Sequence, residues 1–193
     1  MKVLIGCEFT GIVRDQFRKL GHEAYSCDLL QTETNQAYDF KSPCYHIQKD
    51  VRTILNDNWD LGIFFPPCTH LCVSGARWFK DKQTEQQNAL DFISRLLLCR
   101  IPKIALENPI GIISTHIRKP DQIIQPYQYG HGETKATCLW LKNLPKLKPT
   151  NLVSGRENKI WKMKPSKDRG LKRSRTYPGI AQAMATQWNH CQS

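Results

Sequence analysis

Short apolar runs alternate with amphipathic stretches through the first hundred residues of the chain. Residues 2–7 form an apolar run that predicts a buried strand, and residues 11–20 place Ile12, Val13, Phe17 and Leu20 at helical spacing, with Gly21 closing the helix. A second strand is expected over 22–27, ending at Asp28. A short third follows over 45–48, ending at Asp50, with a helix over 51–56. The run 61–65 is apolar throughout, as a central parallel strand should be. After a loop over 75–82, Thr84 and Gln87 have the spacing of a capping box, and Leu90, Ile93 and Leu97 with Ala89, Phe92 and Leu96 give a broad apolar stripe up to Cys99. Further strands are expected over 103–106 and 136–141, and a last helix over 180–188 behind Pro178-Gly179. Alternation of this kind predicts an α/β fold, a mostly parallel sheet with helices on both faces.

Length and charge narrow the reading. The 193 residues suit one domain, 1–193. No apolar run is long enough to span a membrane, and the N-terminal run leads straight into a turn, so a soluble cytoplasmic protein is expected. The eight cysteines lie largely in apolar segments, where a reduced thiol behaves as a small hydrophobe. Cys68-x-His70-x-Cys72 lacks a second pair to complete a tetrahedral site, and no metal is expected. Of the net charge of +11, the segment 142–175 holds twelve Lys and Arg against Glu157 and Asp168. That segment carries Lys159, Lys162, Lys164, Arg173 and Arg175 as candidate phosphate contacts and Trp161 as a candidate base-stacking side chain, so a nucleic acid is the expected partner ahead of a merely solvated surface.

Two motifs carry candidate chemistry. Phe65-Pro66-Pro67-Cys68 and Ala105-Leu106-Glu107-Asn108-Pro109 each follow an apolar strand, which puts a thiol and a carboxyl on one rim of the sheet. A thiolate adds to an electron-poor carbon, and a carboxyl can protonate the ring under attack. Glu8-Phe9-Thr10-Gly11 follows the first strand, where a glycine lets backbone and helix amides approach a ligand. Asp28 is placed to accept from ribose hydroxyls, and Asp50 to face an adenine amine.

Taken in order, Phe9-x-Gly11, Asp28, Asp50, Pro67-Cys68 and Glu107-Asn108 resemble the cytosine carbon-5 DNA methyltransferases, in particular the short phage and bacterial members marked by Pro-Pro-Cys-Thr. The resemblance covers most of the chain. It implies a Rossmann-like domain using S-adenosylmethionine, with Cys68 as the nucleophile, Glu107 on the ring nitrogen and exocyclic amine, and Asn108 holding the cysteine loop. It also implies Phe9, Gly11, Asp28, Asp50 and Pro67 around the cofactor, Gly75 closing the cysteine motif, and a role in protection against restriction. The chain departs from the family at Thr69, where glutamine is usual, at Val13 and Arg14, where glycines are usual, and at Lys135 and Thr137, where two arginines help hold the base. Lys135 is the expected remaining cation. Only about thirty residues separate Leu141 from Arg173, so the basic segment is all the recognition apparatus expected, with target specificity short or supplied by a protein partner.

Three other readings meet the same residues. An amino-group methyltransferase needs a polar residue before the prolines, where this chain has Phe65. A carbon-5 methyltransferase of free cytosine nucleotides suits the small recognition region. A non-catalytic nucleic-acid-binding protein suits the glycine-poor first loop.

Overall fold

The computed structural model describes residues 1–33, 45–73, 82–159, 166 and 169–189. Seven strands form one sheet: β1 (Lys2–Gly6), β2 (Glu23–Asp28), β3 (His46–Gln48), β4 (Leu61–Phe64), β5 (Lys103–Pro109), β6 (Gln122–Ile124) and β7 (Thr137–Lys142). Their order is β3-β2-β1-β4-β5-β7-β6, parallel from β3 to β5, with β7 antiparallel to both β5 and β6. This is a Rossmann-like α/β fold, as the alternation predicts.

Side chains alternate across the sheet as the strand period requires. Val3, Ile5, Leu61, Ile63, Ala105 and Leu139 bury one face beneath α1 (Ile12–Lys19) and the last helix, which supplies Ile180, Met184 and Trp188. Leu4, Phe64, Ile104, Leu106 and Trp140 bury the other beneath Leu90, Ile93 and Leu96 of α2 (Gln83–Leu98), beside Ile113 of the one-turn α3 (Ile113–His116). Beyond α3 the described residues also form α4 (Arg169–Ser174) and α5 (Pro178–Trp188).

Several elements differ from expectation. The predicted helix at 51–56 is one 3-10 turn, Val51–Thr53. The capping box at Thr84 does not form: α2 starts at Gln83, behind Lys82, without a side-chain cap. β5 runs through Glu107 and Asn108 to Pro109, because β7 pairs Glu107 with Leu139, Asn108 with Cys138 and Pro109 with Thr137. The acid and amide therefore sit in a strand, with the added rigidity of a ladder. Lys142 ends β7 rather than opening the basic segment, and its Nζ donates to the carbonyls of Cys99 and Ile101 at 3.1 and 3.0 Å, closing the C-terminus of α2. Gly75, Trp161, Lys162 and Lys164 lie outside the described residues.

Candidate active site

The carboxyl ends of β1, β2 and β4, and the final residues of β5, form the rim expected to bind ligand. β1 ends at Gly6, and Cys7 then adopts a left-handed conformation (φ 59°) that turns the chain into the first loop. The loop closes at Gly11 (φ 71°), the residue before α1. Here the structure corrects the sequence reading. The amides of α1 do not face a ligand: the buried Glu8 carboxylate accepts from Val13 N at 2.7 Å and Arg14 N at 3.4 Å, while Thr10 Oγ1 accepts from Ile12 N at 3.4 Å. Burial pushes the Glu8 carboxyl up to about 7, against the pull of those amides.

Asp28 and Asp50 do converge. Both their charges help hold the Cys7 thiol above its ordinary range, after burial, which is the larger cause. Asp28 accepts from Leu30 N at 2.9 Å through Oδ1, and its other oxygen has no hydrogen-bond partner among the described residues. Asp50 is engaged: it caps the 3-10 turn through Arg52 N at 2.9 Å and pairs with the Arg52 guanidinium, which holds its carboxyl below the usual range. Phe9 is buried, and its carbonyl accepts from Glu33 N at 3.1 Å, tying the first loop to the one after β2.

Arg14 joins this side of the rim from below. Its Nη1 donates to Ser26 Oγ at 3.0 Å, Ser26 Oγ meets His46 Nδ1 at 2.9 Å, and His46 Nε2 meets the Leu30 carbonyl at 2.9 Å. A carbonyl only accepts, so Nε2 carries the proton and Nδ1 accepts from Ser26. Burial lowers the His46 pKa, in keeping with a neutral ring. The chain positions Leu30, two residues beyond Asp28.

The thiol side is built on backbone contacts. Phe65 N extends the β1–β4 ladder to the Gly6 carbonyl at 3.0 Å, and Asn108 Nδ2 donates to the Pro66 carbonyl at 2.9 Å, so Asn108 holds the start of the cysteine loop. Pro67 is exposed beside it. Leu71 N and Cys72 N both donate to the Cys68 carbonyl at 3.0 Å, making a helical turn that brings the Cys72 thiol against that of Cys68. The far end of the turn is clamped by Ile112 N donating to the Leu71 carbonyl at 2.9 Å. Backbone approach at Gly111 is so close that a Cβ there would overlap the Leu71 carbonyl oxygen.

Cys68 is half-buried, and its pKa is pushed well above the ordinary thiol range by the hydrogen bond with Cys72, then by burial and the charge of Glu107; Arg173 pulls it the other way. Glu107 is raised by burial, partly offset by the charge of Lys135 and by contact with Thr137, whose hydroxyl donates to the Lys135 carbonyl at 3.0 Å. Lys135 Nζ donates to the Arg173 carbonyl at 2.9 Å. Cys68, Glu107, Asn108, Lys135 and Arg173 therefore come together at one end of β4, β5 and β7. At rest the thiol and the carboxyl are both biased toward their protonated forms.

Of the expected nucleic-acid contacts, Lys159 pairs with Glu157 at 3.4 Å and Glu133 at 3.9 Å, and Arg175 with Glu33 at 2.7 Å. Sequence reasoning missed Glu8, Cys72 and Gly111. The close glycine was legible only as one more residue of a loop, and the partner thiol only as half of a failed metal pattern. Gly111→Ala should lower stability by about 1–3 kcal/mol and displace the cysteine turn, since the new methyl must force backbone apart. Chemical denaturation and the rate of Cys68 alkylation would check it; unchanged values in both would remove the clamp.

No protein-family model matches the chain, and no curated protein matches it significantly. Among solved structures, a prophage-encoded E. coli protein described as a DNA modification methyltransferase aligns with 84% of this chain and 55% of its own, at 15% identity and a TM-score of 0.49. The chain thus spans about half the length of that protein. Among the described residues no helix is long and apolar enough to cross a membrane, and no His, Cys, Asp and Glu cluster could hold a metal ion.

Proposed function

We propose that the chain is an S-adenosylmethionine-dependent DNA cytosine carbon-5 methyltransferase acting through a covalent adduct on Cys68. The observation that carries the reading is the convergence of Cys68 and Glu107, with Asn108 bonded to the cysteine loop, in the order and strand positions of the family the sequence resembles. In this reading the Cys68 thiolate adds to cytosine carbon 6, Glu107 delivers a proton or strong hydrogen bond to the ring nitrogen as charge builds there, and carbon 5 becomes nucleophilic. S-adenosylmethionine, when bound, supplies the methyl group. Loss of the carbon-5 proton then expels the thiolate and restores the ring.

The rim fits that cofactor from its acidic side. Asp28 keeps one carboxylate oxygen for a ribose hydroxyl, whereas the α1 amides are occupied by Glu8 and Thr10. Asp28→Ala should weaken S-adenosylmethionine binding about tenfold, because it leaves ribose hydroxyls unpaired. Calorimetry on both proteins checks this, and an unchanged dissociation constant would move the ribose contact elsewhere. DNA would lie on the basic segment, with a protein partner supplying any long recognition sequence.

The reading as a whole is tested by incubating the protein with S-adenosylmethionine and cytosine-containing DNA, then digesting the DNA and identifying the modified nucleoside by mass spectrometry. 5-Methyldeoxycytidine is expected. Methylation at the exocyclic nitrogen, or none in any DNA sequence tried, would overturn it.

A further inference from the structure

The basic side chains of the described residues are not equivalent. Lys159 and Arg175 are ion-paired with Glu157, Glu133 and Glu33, and Arg156 lies over the Tyr127 ring at 4.1 Å. Arg173 differs. Its guanidinium has neither a carboxylate nor a hydrogen-bond acceptor among the described residues, although it is half-buried rather than extended into solvent. Its backbone is fixed over the cleft, because Lys135 Nζ donates to its carbonyl at 2.9 Å at the last turn of α4. Its charge reaches Cys68, while the charge of Lys135 reaches Glu107.

The charge balance of this cleft is positive. Glu107 is its one carboxyl among these groups, and burial disfavours its ionised form. Two cations therefore face a thiol and a single carboxyl. A half-buried guanidinium that no protein acceptor occupies is open to an anion that reaches the cleft. Its planar pair of N–H donors matches two oxygens of a phosphate, and a neighbouring ammonium adds a third contact.

We propose that Arg173 and Lys135 form a phosphate-binding subsite beside Cys68, which takes the phosphate of the nucleotide whose base is presented to that thiol. This deepens the proposed function by defining the substrate as a nucleotide held by its own phosphate rather than by its base alone, and it rests on that reading only for the identity of the base.

The test needs no cofactor. Iodoacetamide alkylation of Cys68, followed at the peptide level by mass spectrometry, reports occupancy of the cleft. At constant ionic strength, deoxycytidine 5′-monophosphate should protect Cys68 at about one-tenth the concentration that deoxycytidine requires. In Arg173→Ala that advantage should fall within about twofold, and Arg173→Lys should restore part of it, since a point charge keeps attraction without the paired geometry. Thermal melting of the variants separates loss of the subsite from loss of the fold. A short single-stranded oligodeoxynucleotide containing one cytosine distinguishes the source. Stronger protection than by the monophosphate assigns the subsite to a DNA backbone phosphate, and equal protection assigns it to a free nucleotide. Equal protection by nucleoside and nucleotide in the wild-type protein, or an advantage that survives in Arg173→Ala, would overturn the subsite. If phosphate protects but no DNA is methylated, the subsite stands and the methyl-transfer reading falls; methylation without a phosphate advantage gives the reverse.

Discussion

Cys68→Ala is expected to abolish methyl transfer, with a loss of at least about a thousandfold, while the melting temperature and S-adenosylmethionine affinity stay close to wild type. The fold tolerates the change because the turn at Cys68 is held through its carbonyl, which accepts from Leu71 and Cys72, and not through its sulfur. Among the described residues, only the hydrogen bond with the Cys72 thiol is lost. DNA in which the target cytosine is replaced by 5-fluorocytosine should become covalently attached to Cys68, since fluorine at carbon 5 cannot leave as a proton does. Because Cys72, burial and Glu107 hold the thiol protonated, adduct formation should accelerate as the pH rises. Full turnover by the alanine variant would end the covalent mechanism.

Glu107→Gln should lower turnover by about a hundredfold, with a much smaller effect on DNA affinity. The reason is that the proton is demanded when sulfur adds to the ring, and not when the ring merely binds. The sign of the pH effect follows from burial, which raises this carboxyl: Glu107 stays protonated to higher pH than an exposed glutamate, and its contribution is lost as pH rises through that raised value. Wild-type turnover should therefore follow a bell in which the gain from thiol ionisation is opposed by loss of the Glu107 proton. In the glutamine variant the falling limb should disappear. A pH–rate profile that keeps its alkaline fall, or a variant that loses affinity and not rate, would remove Glu107 from acid catalysis.

The parts of this architecture legible in the sequence are those written in local periodicity. β1 and β4 with the helices after them, and β2, follow from apolar runs and 3.6-residue spacing, and Cys68 falls just beyond its strand because prolines end the run there. What escaped notice depends on distant partners. β6 is a three-residue edge strand, too short to show alternation, and it exists through pairing with β7. Glu107 and Asn108 join β5 because residues 138 and 139 lie alongside. α4 is a polar six-residue helix inside a charged segment, with no buried residue to give it an apolar stripe. Glu8 reads as a polar turn residue until α1 is seen to point its amides at it. Arg173 reads as one basic residue among twelve until Lys159 and Arg175 are found already paired.

The clamp on the cysteine turn settles where motion must occur when a base arrives. With Asn108 fastening one end and Gly111 pressed beneath the other, Cys68 is fixed to the sheet and has little conformational entropy left to lose in the proposed reaction. The reorganisation then belongs to the incoming nucleotide: a cytosine in duplex DNA has to leave its stack and travel to the sulfur, at a cost of about a few kcal/mol. A cytosine that is already unpaired skips that cost. The same rigid thiol would thus favour mispaired, frayed or single-stranded targets over a base within an intact helix, with no residue devoted to making that distinction.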